Sequence, residues 1–393
     1  MTSSAPGSIL PLLSADEEQH SRAVARLLRE QIAASGGWLS FERFMELALY
    51  APGLGYYSAG SVKIGAGGDF VTAPEVSDLF SRCVARQCAE VLSETGGDIV
   101  ELGAGTGRMA ATVLESLAAV GVLPERYAIL EVSADLAERQ RTRLQGLPRE
   151  LRQRVVWLER LPERPIRGVL LANEVLDALP CRRFTLRSGA VGELGVVLAA
   201  DTFLEREAPA EAALARACDA VIHELPAPLP EGYISELCLR VEPWIAGVGQ
   251  CIEHGVLLLF DYGLPRAHYY HPQRVTGTLR CHFKQRAHDD PYINVGVQDI
   301  TAWVDFTRVA EAAVASGLEV LGFATQTAFL LATDIESLIA EATGTVEHAR
   351  RAGEARRLLM PGEMGEAFKV MALARGYGNA LSGFALQDLR HSL

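Results

Sequence analysis

The sequence predicts an α/β fold: a parallel sheet covered by helices on both faces, preceded by an N-terminal helical segment and interrupted by an inserted α+β lobe. Three observations carry this. From residue 98 onward, short apolar runs alternate with amphipathic stretches, the pattern of parallel strands buried on both sides. The first run, Ile99 to Leu102, leads straight into a glycine loop and then into a helical stripe of Met109, Val113, Leu114 and Leu117. The 393 residues are 49% hydrophobic and 22% charged, enough apolar content for a large core and too little charge for disorder.

Taken in order, Ser14 with Glu17 three residues on forms a capping box. Val24, Leu27, Leu28 and Ile32 then recur at helical spacing until Gly36-Gly37. A second helix runs from Ser40 to Tyr50 and is stopped by Ala51-Pro52-Gly53. The stretch from Pro52 to Pro74 is rich in glycine (Gly53, Gly55, Gly60, Gly65, Gly67, Gly68) with Tyr56 and Tyr57 between, and reads as a functional or a mobile loop. After the first strand, Tyr127 to Glu131, Val155 to Leu158, Val169 to Ala172 and Gly255 to Phe260 read as the second to fifth strands. Between the fourth and fifth, Phe184 to Glu205 suggests a hairpin turning at Ser188-Gly189, and Ala208 to Ile222 a helix. A helix from Thr301 to Ser316 and strands near Leu318 to Phe323 and Ala367 to Ala372 complete the pattern. The expected division is residues 1–80 for the N-terminal helices and glycine-rich loop and 81–182 for the first half of the core. An inserted substrate lobe takes 183–250, and the second half of the core takes 251–393, with a lid over 262–300 hinged at Gly277 and Gly296.

Composition excludes several classes of function. The 37 basic residues against 49 acidic ones leave a net charge of −12, so no whole-chain positive field attracts nucleic acid, and a basic partner fits better. Seven scattered cysteines form no C-x-x-C pair, which points to a reducing compartment. His268, His271, His282 and His288 lack the tight spacing of zinc ligands, so no metal is expected. The longest apolar runs stop far short of the roughly 20 residues that span a bilayer. Asp16, Glu17 and Glu18 interrupt any leader-like start, and the chain reads as cytoplasmic if bacterial, with the mitochondrial matrix the alternative for a eukaryotic source.

The glycine loop is the first candidate site. Glu101-Leu102-Gly103-Ala104-Gly105-Thr106-Gly107 follows a strand and opens a helix, where glycine lets backbone turn sharply and lie against a ligand. A dinucleotide loop reads G-x-G-x-x-G, whereas here the third glycine comes one residue early and an acid precedes the first. This disfavours a nicotinamide cofactor, and the absence of G-K-[ST] disfavours a nucleoside triphosphate. Glu131 stands 24 residues beyond Gly107, where an acceptor for a ribose diol belongs. Strand, glycines and distal acid suggest a cofactor with ribose and no pyrophosphate; a tight turn without a ligand is the alternative.

That combination resembles the class I S-adenosyl-L-methionine methyltransferases. The resemblance implies a Rossmann-like sheet in which Glu101, Gly103, Gly105 and Gly107 line the amino-acid end of the cofactor and Glu131 takes the ribose hydroxyls. Thr72 and Asn173 are assigned to the cofactor with them. Longer motifs narrow the resemblance: Phe44 to Tyr57 (FMELALYAPGLGYY), Gly68 to Glu75 (GDFVTAPE) and Ala172 to Pro180 (ANEVLDALP). With Asp261-Tyr262-Gly263, Gly277-Thr278-Leu279 and Gln298 to Thr301, they are similar to the MidA-like family, which includes a mitochondrial complex I assembly-factor arginine methyltransferase. The likeness runs over residues 40 to 375, with one departure at Trp303, where the family pattern has histidine. It implies a protein acceptor carrying an arginine, a respiratory complex I subunit being one candidate, and is compatible with a homodimer. Methylation of another protein or a small molecule, or a non-catalytic S-adenosyl-L-methionine-binding assembly factor, are the alternatives.

An arginine acceptor sets its own demands. Guanidinium stays protonated below a pKa of about 12, so carboxylates must fix its plane and localise its charge away from the attacking nitrogen. Glu174 and Asp177 follow the fourth strand, where open α/β sheets bind ligands, and as residues of a first helical turn they would share a face. Asp177 serves equally well as an acid at a helix N-terminus. Glu236, ahead of the fifth strand, is a third candidate acid or an ordinary cap, and Tyr262 either walls the acceptor pocket or packs.

Overall fold

The apolar runs after residue 98 build one large sheet. In space its strands lie in the order Glu319–Thr325, Phe368–Arg375, Ile252–Leu264, Ile166–Asn173, Asp98–Leu102, Tyr127–Leu130, Val155–Leu158, with Val304–Asp305 added beside Ile252–Leu264. Each of the five expected strands is present. The first, second, third, fourth and fifth pair in parallel, while Phe368–Arg375 runs antiparallel to both of its neighbours. The central strands are buried on both faces: all five residues of Asp98–Leu102 and all from Gly168 to Ala172 are inaccessible, as continuous apolar runs require. Helix Arg108–Ala119 buries Met109, Val113, Leu114 and Leu117, the stripe that its spacing predicts. From the first strand the chain steps outward to the second and third, then crosses back to place the fourth on the other side of the first. Strand order reverses there, and such a switch point opens a crevice at the carboxyl ends of the two strands.

The computed structural model describes residues 10–58 and 71–393, in two compact units. The second unit, residues 72–177, 240–269 and 303–393, contains the large sheet. The first takes in the N-terminal helices with residues 178–239 and 270–302. Helix Ala15–Ala34 starts at the predicted capping box, Ser14 and Glu17 each bonding the other's backbone N–H. Val24, Leu28 and Ile32 pack with Phe41, Phe44 and Met45 of helix Phe41–Tyr50 and with Val196, Phe203, Cys281 and Ile300. Strands Arg182–Arg187 and Ala190–Ala199 form the expected hairpin, closed by Ser188 and Gly189, both with positive φ, the two-residue turn whose twist matches that of the strands.

Four local expectations change, one of them at Thr301, where the expected helix gives way to strand Val304–Asp305 and starts only at Phe306, running to Ala315. Ala208 does not begin a helix: Thr202–Pro209 is a third strand antiparallel to Ala190–Ala199, and the helix is Ala212–Glu224. The segment read as a lid over 262–300 holds a small sheet, in which Arg280–Phe283 pairs with Arg286–His288 on one side and Asp299–Thr301 on the other. Gly277, read as a hinge, has a φ of +78°, and an added Cβ there would run into the Glu236 carboxylate. The last change, at Glu174 to Asp177, belongs to the site. Of the glycine-rich segment, residues 59–70 with Gly60, Gly65, Gly67, Gly68 and the Gly68-Asp69-Phe70 motif lie outside the described residues.

Candidate active site

The loop after the first strand turns through three left-handed glycines, Gly103 (φ +72°), Gly105 (φ +53°) and Gly107 (φ +79°). Gly107 is the cap of helix Arg108–Ala119. A side chain at any of the three would sit in a conformation that L-residues rarely adopt. Glu101, expected to line the cofactor, is buried within the first strand, and its carboxylate accepts a 2.8 Å hydrogen bond from the Tyr127 hydroxyl. Burial lifts this carboxyl to about 7 against the pull of that bond, with Glu131 adding to the rise. Glu75 docks on the loop: it accepts a hydrogen bond from the Thr106 hydroxyl, and its backbone carbonyl accepts one from Arg108 at 2.7 Å. Thr72 caps the short helix Ala73–Val76 that carries Glu75.

Glu131 directly follows the second strand, Tyr127–Leu130. Its carboxylate accepts the Ser133 N–H at 2.9 Å and the side-chain NH₂ of Gln140 at 2.9 Å. Gln140 also donates to the Gly105 carbonyl at 3.0 Å and accepts from the Trp157 indole at 3.0 Å. Sequence reasoning missed Gln140. Its one signal was a glutamine at an inward position of helix Ala134–Leu144 otherwise filled by Leu136, Ala137 and Leu144.

Across the switch point the fourth strand ends at Asn173. Its Nδ2 donates to Glu174 at 3.1 Å, while its buried Oδ1 meets no hydrogen-bond partner among the described residues. A buried acceptor without a donor costs about 1–3 kcal/mol, which a ligand N–H or O–H would recover. The helix expected over Glu174 to Asp177 does not form. Glu174 instead takes a left-handed φ of +53°, with its own N–H donating to the Phe260 carbonyl at 2.8 Å. The N–H groups of Val175, Leu176 and Asp177 converge on one oxygen, Asp261 Oδ2, at 3.2, 2.8 and 3.3 Å. Asp261 Oδ1 accepts the Tyr262 N–H at 2.9 Å. A carboxylate supplied from the fifth strand thus satisfies three consecutive amides of the turn. Burial raises Asp261 to about 7 in spite of its four backbone donors. A left-handed non-glycine residue costs on the order of 1–3 kcal/mol and persists only where the surroundings impose it, typically at functional sites.

The glycine loop and this turn adjoin, since a Cβ on Gly103 would touch Val175 Cγ2 at 3.5 Å. The second unit therefore brings together Glu101, Gly103, Gly105, Gly107, Glu131, Asn173, Glu174 and Asp177. Tyr262 follows Asp261 and packs its ring on Phe368, centroids 3.9 Å apart. Glu236 belongs to the first unit. Its carboxylate accepts the Thr278 N–H at 2.7 Å and the Arg183 guanidinium at 3.4 Å, which makes it part of a buried network there.

A family profile described as "Putative S-adenosyl-L-methionine-dependent methyltransferase" matches residues 83–324. The chain belongs to this family. S-Adenosyl-L-methionine is accordingly its cofactor. The donor-rich ends of that molecule, an ammonium and a ribose diol, suit the acceptors present here, the Asn173 carbonyl and the Glu131 carboxylate. The curated relatives include the mitochondrial protein arginine methyltransferase NDUFAF7 homolog of Drosophila melanogaster, 30% identical over 93% of this chain and 88% of that one. The Danio rerio protein arginine methyltransferase NDUFAF7 is 26% identical over 90% and 87%. A crystal structure of a Burkholderia thailandensis protein bound to S-adenosyl-homocysteine shares 41% identity and superposes with a TM-score of 0.92, covering 98% of this chain and 100% of that one. The mixed α/β architecture of the methyltransferase is thus that of a solved relative.

Proposed function

We propose that this methyltransferase transfers its methyl group to an arginine side chain of a protein acceptor. The observation that carries the reading is the acidic turn at Glu174 to Asp177, set beside the glycine loop and braced by Asp261. Relatives named protein arginine methyltransferases support it. In this proposal Gly103, Gly105, Gly107, Glu131, Asn173 and Thr72 bind the cofactor, while Glu101, tied to Tyr127, supports the loop from within the sheet. When bound, S-adenosyl-L-methionine supplies an activated methyl on a sulfonium. Glu174, presented by its left-handed backbone, orients the guanidinium and draws its positive charge away from the attacking nitrogen, with Asp177 as the second acid and Tyr262 as a wall. Displacement at a methyl carbon depends on alignment and exclusion of water more than on proton movement during attack, so positioning is the main task of these side chains. A cytoplasmic setting and a respiratory complex I subunit as acceptor are the finer parts of the proposal.

The test is transfer of isotopic methyl to candidate proteins, complex I subunits among them, with the modified residue located by mass spectrometry. Glu174→Gln is expected to leave S-adenosyl-homocysteine affinity intact and to lower turnover by about 10² or more. Asp177→Asn should show a weaker loss if it is the second acid. Full transfer by Glu174→Gln, or label on a residue other than arginine, overturns the acidic-clamp mechanism.

A further inference from the structure

We propose that Gln140 is a positioning residue for the cofactor, a single amide that locks the ribose-binding acid and the glycine loop into one fixed geometry. The inference rests on the cofactor assignment of Gly105 and Glu131. Gln140 is fully buried on helix Ala134–Leu144, beyond direct reach of solvent. Its two N–H donors go to two different loops: one to the Gly105 carbonyl at 3.0 Å, the other to Glu131 Oε2 at 2.9 Å. Its oxygen accepts the Trp157 indole N–H at 3.0 Å. The chemistry allows only one orientation of the amide. Indole can only donate, while the carbonyl and carboxylate can only accept, so the NH₂ must face Gly105 and Glu131 and the oxygen must face Trp157. One side chain thereby ties together the carboxyl ends of three neighbouring strands, the first through Gly105, the second through Glu131 and the third through Trp157.

The packing allows little slack. A Cβ on Gly107 would come within 3.3 Å of the Gln140 Cα and Cγ, so the last glycine of the loop is pressed against the same residue. The Arg141 guanidinium lies over the Trp157 ring at 5.1 Å and helps hold the indole in place. Glu131 is fixed at Oε1 by the Ser133 N–H and at Oε2 by Gln140, which orients the carboxylate plane before any ligand arrives. Gly105 sits at φ +53°, and a hydrogen bond to its carbonyl holds the peptide plane that follows it. No other amino acid of this length offers two donors and one acceptor without charge. Leucine and methionine supply none of these bonds, and glutamate keeps the acceptor for Trp157 but puts an anion against Glu131 and the Gly105 carbonyl.

Gln140→Glu gives the discriminating test, because a shared proton can restore one of the lost bonds. Calorimetric titration with S-adenosyl-homocysteine from pH 5.5 to 8.5 is read at each pH as the ratio of variant to wild-type affinity, because Glu101 and Asp261 titrate within that range in every variant. Gln140→Glu should bind about tenfold or more weakly at pH 8.5 and regain most of the loss at pH 5.5, as a proton between the two carboxyl groups substitutes for the amide N–H. Gln140→Leu should be weakened by a similar factor at every pH. A merely structural role for Gln140 predicts equal weakening of Gln140→Glu at all pH values, and that outcome overturns the proposal, as does unchanged affinity in both variants. If wild-type protein fails to bind S-adenosyl-homocysteine at all, it is the cofactor assignment that falls. Should Gln140→Glu not fold, Trp157→Phe carries the test: without the indole N–H the amide loses its orienting donor, and affinity should fall severalfold with the acid and the loop both present. Unchanged affinity in that variant sinks the proposal.

Discussion

Two sets of carboxylates, one in each unit, are held in different ways. In the first, acids are matched by arginines: Arg182 binds Glu42 at 2.8 Å, Glu193 at 2.9 Å and Glu211 at 2.8 Å, while Arg183 binds Glu205 and Glu236. In the second, at the carboxyl ends of the large sheet, Asp261 is held by four backbone amides and Glu101 by a tyrosine hydroxyl. The difference lies in how the charge is compensated. Arginine partners close a charge off and make its geometry part of the fold, whereas neutral donors orient a carboxylate and leave its field to act on a ligand. The raised values of Asp261 and Glu101, both about 7, express the same arrangement, since burial without a cation disfavours the charged form.

The largest effect expected from breaking this contrast is on the arginine side. Arg183→Met leaves Glu236 buried without its cation and should lower stability by about 3–5 kcal/mol while S-adenosyl-homocysteine affinity stays as in wild type. Denaturant unfolding and calorimetry on the same preparation check both halves. A lost affinity at preserved stability would reverse the assignment of the two regions. The converse change, Glu131→Ala, removes an acid from the cofactor side and should weaken binding by about 1–3 kcal/mol, with the melting temperature of the ligand-free protein little altered. The smallest effect concerns pH. Asp261 has its folded value raised to about 7 from an unfolded value near ~3.9, so the folded chain binds this proton more tightly. Through this group, lowering the pH from about 7 toward 4 stabilises the fold, and the gain is complete below the unfolded value. Turnover should move the other way: a protonated Asp261 grips the Val175 to Asp177 amides less well, and kcat should fall by up to about tenfold between pH 8 and 6 while the melting temperature does not drop. A melting temperature that falls in step with kcat over that window would remove the separation.

What could be read in advance was whatever depends on neighbours in the chain. The first to fifth strands, the stripe on Arg108–Ala119, the Ser14 capping box and the Ser188-Gly189 turn each follow from periodicity or from the φ that a residue tolerates, and each is where its pattern puts it. The glycine loop and Glu131 were legible for the same reason, because strand, turn and acid follow one another at fixed spacing. The departure at Glu174 shows where such reading ends. Glu174 to Asp177 has the residues of a helix start, yet Glu174 takes a left-handed φ and the three amides that follow it are tied to Asp261, 85 residues beyond Leu176, in a turn. Gln140 is a second case, an unremarked glutamine until the sheet order brings Gly105, Glu131 and Trp157 to its amide. Local sequence thus determined which segments are strands, helices and turns, since propensity and burial pattern act over a few residues. The tertiary structure alone decided how the buried donors and acceptors of separate strands are satisfied, because those partners become neighbours only when the sheet sets the strands side by side.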